Sequence, residues 1–174
     1  MILIFYCFDF IILIAKDIVV TDKEKIGYKT FLKGRALEIL HERINTSYEA
    51  MREAQVAANE EGKSSVGDKY ETSRAMAQID RDIHARQLES SQKELTFVQQ
   101  LDVSMFRTKI DAGSFVETDM GKYFFLSGIG QVDTGIEKIF FLSMNSPIGK
   151  IFSGKEAGAV VLFNGKKILI KAVF

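Results

Sequence analysis

From about Asp22 to Glu61 the apolar positions recur at alternating steps of three and four: Leu37, Leu40, Ile44, Met51, Ala54 and Ala58, with Ser47 on the missing rung and Tyr48 beside it. This spacing predicts a helix that buries a narrow seam against a second helix. The seam side chains shrink from Leu and Ile to Ala toward residue 60, which lets a partner helix approach more closely at that end. Gly62-Lys63-Ser64-Ser65-Val66-Gly67 then interrupts the pattern and predicts a turn. A second helix, capped by Asp68 or Ser65, is expected to reach about Asp102. Met76, Ile79 and Ile83 form its stripe, and Leu88, Leu95 and Val98 continue it after a five-residue step, with Ser91 between the leucines. That step implies a seam that drifts or breaks between residues 83 and 88. Two such helices joined by a short turn form an antiparallel hairpin of roughly 50 Å reach.

After Asp102 the period changes. Short strand-like runs cover Ser114 to Thr118, Lys122 to Leu126, Lys138 to Leu142, Ala159 to Phe163 and Lys167 to Phe174, punctuated by glycines. Asn164-Gly165 between two apolar runs predicts a tight hairpin turn. Asn145 to Lys155 reads as a short helix with Ser146 as its cap, Pro147 at the first helical position and Gly154 at its end. The fold class is therefore α+β. Residues 1–21 are an apolar N-terminal segment, 22–102 a helical hairpin with its tip near 62–67, and 103–174 a β-rich domain with one short helix.

Met1 to Ala15 is apolar except for Asp9. It falls short of the roughly 20 residues that cross a bilayer as a helix, and it lacks the basic flank and cleavage site of a secretory signal. Three readings stay open: an over-extended gene start, a membrane anchor if residues 1–15 are real and inserted, or a segment packed on the β-rich domain as a strand. The lone Cys7 has no partner for a disulfide and no companion at metal-ligand spacing, which fits a reducing compartment.

Lys plus Arg equals Asp plus Glu at 23 each, so global charge gives no nucleic-acid signature. Residues 67–102 carry a net charge of −2 and residues 103–174 a net charge of +3. His41 and His84 lie one on each helix, at similar expected heights, without a third ligand; no metal site is predicted. No serine, histidine and carboxylate set has a recognisable frame, and the glycines lack phosphate-loop spacing, so the chain is not expected to be an enzyme and no catalytic residue is assigned.

Ser146-Pro147-Ile148-Gly149, followed by Gly154-Lys155 and Gly158 ahead of a final hairpin, resembles the corresponding run of the bacterial Gre transcript-cleavage factors. Gly67-Asp68-Lys69-Tyr70-Glu71-Thr72 and Arg74-Ala75-Met76-Ala77 are similar to the second-helix start of a compact Gre-like group found in Bacteroidetes. The resemblance spans roughly residues 25 to 174. It implies an FKBP-like C-terminal domain that docks on the rim of the RNA polymerase secondary channel, with Ser146, Pro147, Ile148, Gly149, Gly154 and Lys155 as docking candidates. It also implies a cytoplasmic protein whose coiled coil enters that channel, close to the DNA and RNA of the elongation complex. In the family two acidic tip residues help hold a catalytic magnesium ion of the polymerase, and carboxylates suit that hard cation.

With Tyr70 aligned to the family's tip tyrosine, the acidic positions fall near Lys63 and Val66, neither of which binds magnesium. Glu60, Glu61, Asp68 and Glu71 lie close by as alternative tip residues, and an acidic run at a helix end also suits plain solvation or the helix dipole. The expectation is an elongation regulator with weak or no stimulation of transcript cleavage. It needs no cofactor of its own, and the polymerase's magnesium matters only if the tip is active. The alternative is a coiled-coil structural or oligomerisation protein with no polymerase role, because heptads serve assembly equally well.

Overall fold

The computed structural model describes residues 21–61 and 68–174, with the side chains of residues 60, 61 and 68–71 outside that description. Helix α1, Asp22–Glu61, opens on a capping box: the Thr21 N–H donates to Glu24 Oε2 at 2.7 Å, and the Glu24 N–H donates to Thr21 Oγ1 at 3.3 Å. Helix α2, Asp68–Gln100, packs antiparallel along it. Leu40 and Ala36 of α1 are fully buried, Ala58 is nearly so, and Ile44, Ser47, Met51 and Ala54 are half-buried.

On α2 the inward residues are Ala77, Arg81, His84, Leu88, Ser91, Leu95 and Val98, whose steps alternate four and three without interruption. The expected break between residues 83 and 88 is absent. Met76, Ile79 and Ile83 lie on the outer face instead, at 55%, 51% and 47% exposure. Small Ala77 and the long Arg81 and His84 take the inner positions because α1 presents Ala54, Gln55 and Ala58 there, and Arg81 Nη1 donates to Gln55 Oε1 at 3.2 Å. An apolar count reads the wrong stripe where the two helices meet through small and amphipathic side chains.

A six-stranded sheet follows: β1 Phe115–Thr118, β2 Lys122–Phe125, β3 Gly130–Asp133, β4 Lys138–Leu142, β5 Val160–Phe163 and β6 Lys166–Val173, with α3, Pro147–Phe152, between β4 and β5. The spatial order is β3-β4-β2-β1-β6-β5. Neighbours pair antiparallel except β2 and β4, which run parallel. The unexpected strand is β3, an edge strand whose one apolar inward residue is Val132. The expected Asn164-Gly165 turn forms with φ of 49° and 75° at its two residues, the left-handed pair that a two-residue hairpin needs.

Side chains alternate between the two sheet faces and build two cores. Phe115, Phe124, Leu126, Ile139 and Phe141 pack against Leu32, Ala36, Leu40 and Val98 at the base of the helical hairpin. Val116, Tyr123, Phe125, Val161, Ile168 and Ile170 pack against Phe152 of α3 and Ile110. The hairpin base is therefore part of the first core, and its distal half projects beyond the sheet.

Candidate docking site at the hairpin base

Two lysines of α1 tie the base of the hairpin to the end of α2 and to the segment that follows it. The last turn of α2 carries no basic residue of its own, yet its end carbonyls need donors. Lys33 Nζ donates to Gln99 O at 2.9 Å and to Leu101 O at 2.7 Å, which also places a cation at the negative end of the helix dipole. Lys29, 1% exposed, donates to Met105 O at 2.9 Å and lies 5.9 Å from the centre of the Phe106 ring. Burial, assisted by the charge of Arg107 and opposed by that of Asp102, lowers the Lys29 pKa to about 8. Sequence reasoning missed both residues, although a lysine on the same helical face as Leu32 and Ala36 was a readable signal.

The shifted pKa has a measurable consequence. Between pH 8 and 10 the unfolded chain holds a proton on Lys29 that the folded chain has released, so stability rises with pH in that window. The wild type should gain about 2 kcal/mol relative to Lys29→Met across that interval, read by urea unfolding at each pH. Parallel curves for the two proteins would show that Lys29 does not titrate there. Above pH 10 Tyr28 interferes: burial first, then its hydrogen bond to Glu137, raise its pKa.

Tyr28 belongs to a second tether. Its hydroxyl donates to Glu137 Oε1 at 2.5 Å, and Lys122 Nζ sits 2.6 Å from Glu137 Oε2. Burial pushes the Glu137 carboxyl upward, but the Lys122 and Tyr28 hydrogen bonds outweigh it and hold the pKa below its ordinary value. The hairpin and sheet domain are thus joined by polar contacts of Tyr28, Arg43 and Glu94 and by the phenylalanine core.

The docking candidates divide by location. Ser146 Oγ accepts from the Gly149 N–H at 3.0 Å and donates to Ser143 O at 2.7 Å, which makes it the expected helix cap. Gly149 is buried where α3 meets the preceding turn, and Ile148 is half-buried against the second core. Gly154, at φ +72°, ends the helical segment and donates to Ile110 O at 2.8 Å, while the Ile110 N–H donates to Lys155 O at 2.9 Å. The backbone of Gly154-Lys155 therefore pins the segment leaving the hairpin. Only Pro147, Gly154 and Lys155 of the six are exposed.

Beside this helix a cleft of about 570 Å³ opens between α2 and the carboxyl ends of the parallel strands β2 and β4. Phe97 and Lys93 line it from α2, and Ser127, Met144 and Asn145 line it from the sheet. Ser127, 3% exposed, donates to Glu94 Oε2 across its floor. The ends of parallel strands leave such crevices because the connections diverge there. The cleft and the exposed part of the Pro147 to Lys155 stretch flank each other through Asn145.

Comparison with protein-family models, curated proteins and solved structures finds no match for this chain. The tip candidates fall outside what the structure describes: Lys63 and Val66 lie outside the described residues, as do the side chains of Glu60, Glu61, Asp68 and Glu71. The apolar N-terminal readings for residues 1–15 also fall outside them. Among the described residues no helix is long and apolar enough to cross a membrane, and no three His, Cys, Asp or Glu residues are grouped to hold a metal. His41 is exposed, with Nδ1 3.2 Å from Leu37 O, and His84 is half-buried in the seam. The cross-helix contacts Gln55–Arg81 and Lys33–Gln99 set the register and place His41 opposite about Gln92 to Leu95, roughly 13 Å along the rod from His84. Their expected common height is not met.

Proposed function

We propose that this chain is a cytoplasmic elongation regulator that binds bacterial RNA polymerase, reaching its secondary channel with the helical hairpin. The Gre-like Ser146 to Gly149 motif carries the reading. It is supported by two helices of 40 and 33 residues that Lys29 and Lys33 brace at their base and that Tyr28 and the phenylalanine core join to the sheet domain. In this reading the hairpin acts as a coiled coil and the sheet domain as an FKBP-like rim adaptor, with Pro147, Lys155 and the neighbouring cleft facing the polymerase. The chain supplies no catalytic group. With Lys63 and Val66 at the aligned tip positions, it occupies the channel near the DNA and RNA without delivering the usual pair of magnesium ligands.

One observation favours a second reading. The exposed Met76, Ile79 and Ile83 stripe offers α2 a further helix partner, as expected of a structural protein that assembles through its hairpin. A single experiment separates the two: titration of a chain lacking residues 1–20 onto core RNA polymerase in competition with a Gre factor. Competitive binding in the micromolar range or tighter is expected, with no restart of a backtracked complex by transcript cleavage. Absence of binding, together with a stable dimer in sedimentation, would transfer the function to assembly. Cleavage that disappears in a Glu60→Ala, Glu61→Ala double variant would instead assign the magnesium ligands to those residues.

A further inference from the structure

We infer that the open edge of β5 is a docking site for an extended, acidic segment of a partner protein, which adds there as a seventh strand. This surface is separate from the hairpin and does not depend on the polymerase reading.

The backbone argument begins at the Asn164-Gly165 turn. A two-residue turn closes on a hydrogen-bonded pair, here Phe163 and Lys166, and such pairs alternate along an antiparallel ladder. Val161 with Ile168 is the next, and the Ile170 N–H donation to Ala159 O at 2.9 Å continues the alternation. Val160 and Leu162 therefore direct their N–H and C=O groups away from β6, and among the described residues β5 is the last strand of the sheet. The same two residues are 58% and 62% exposed, and Leu169, paired with Val160, is 39% exposed. By side-chain alternation this apolar patch lies on the sheet face that the hairpin covers farther along, where Phe115 and Phe124 are buried.

Edges are ordinarily guarded by charge, proline or a bulge. The opposite edge, β3, follows that rule with exposed Gln131 and Asp133. Strand β5 reads Val-Val-Leu-Phe and has none of these guards within it.

Charge selects the occupant. From Lys150 to the last residue the chain has five lysines and one acidic side chain, Glu156, which is paired with Lys109. Among the described residues no carboxylate lies within salt-bridge distance of Lys166, Lys167 or Lys171. Lys167 stands opposite Leu162 on the exposed face, beside the apolar patch. A second copy docked edge to edge would bring two such lysine fields together, which long-range repulsion disfavours. An incoming strand with apolar side chains against Val160 and Leu162 and carboxylates between them satisfies both the ladder and the field.

A fluorescein-labelled ten-residue peptide of alternating valine and glutamate is the probe, titrated against the full chain. Saturable binding is expected, weakening with salt, with amide shifts concentrated at Val160 and Leu162. Backbone N-methylation of the peptide, or lysine in place of its glutamates, should weaken binding by about tenfold or more. Leu162→Pro removes an edge N–H that the β6 ladder does not use, and Lys167→Glu reverses the adjacent charge; each should weaken binding several-fold. Lys167→Glu carries the test if Leu162→Pro fails to fold. No saturation by about 1 mM peptide, or equal binding of the N-methylated form, would overturn the proposal. So would a dimer of the wild type that Lys167→Glu strengthens, since the edge would then belong to a second copy.

Discussion

Gly149→Ala is expected to destabilise the C-terminal domain by about 3 kcal/mol or more, which is the upper range for forcing one methyl group into a packed site. A Cβ on Gly149 would lie 2.3 Å from Ser143 O and 2.9 Å from both Cα and O of Met144. All three are backbone atoms of the turn that Ser146 ties to α3, so they cannot move aside as the end of a side chain could. Relief requires α3 to lift from the second core, where Phe152 packs beside Phe125 and Tyr123. Ser146→Ala, which removes only the cap, should cost about 1 kcal/mol. Urea unfolding followed by circular dichroism compares the two. A Gly149→Ala midpoint no lower than that of Ser146→Ala would sink the close-packing explanation.

Phe115→Ala should cost about 3–5 kcal/mol, as expected for a fully buried phenylalanine. The expected form of the loss is more informative than its size. The Phe115 ring lies 5.5 Å from that of Tyr28 on α1, 6.3 Å from Phe124 on β2 and 5.0 Å from Phe174, which follows β6. It therefore joins the hairpin to both central strands and their terminal neighbour. Long helices with a seam of alanine, serine and half-buried leucine draw little stability from propensity alone. The helical signal at 222 nm and tyrosine fluorescence should consequently fall in one transition at a lower urea midpoint. Two separated transitions in the wild type would show that the hairpin folds without the sheet and that Phe115 is not its anchor.

The limits of sequence reading follow from particular residues. Leu37, Leu40, Ile44, Met51, Ala54 and Ala58, with Ser47 between, marked the α1 seam because their steps of three and four follow the helical period. On α2 the larger apolar side chains Met76, Ile79 and Ile83 concealed the inner stripe of Ala77, Arg81 and His84. Hydrophobic periodicity weighs side-chain size, whereas close helices near Ala54 and Ala58 select small residues and long amphipathic ones. Strand β3 escaped for a related reason: an edge strand buries one side chain per turn of the pattern, and Val132 alone is too little signal.

The candidate site shows a different division. Ser146, Pro147 and Gly154 were readable as cap, first helical residue and terminator because those roles depend on a few neighbouring backbone atoms. The cleft beside them was not readable, since Phe97 and Asn145 belong to elements nearly fifty residues apart. Lys29 and Lys33 likewise find their acceptors on the far side of the hairpin.

By itself the sequence determined the local features: two long helices, the Asn164-Gly165 turn, the capped short helix and the change of period near Asp102. Each is encoded within a few consecutive residues, through steric limits on φ and ψ or through a repeating seam. The tertiary structure alone decided which face of α2 is inward, how the hairpin is fixed to the sheet, and that β5 is an edge strand among the described residues. Those outcomes depend on packing volumes, on distant carbonyls that need donors and on strand order, quantities that no local window of residues contains.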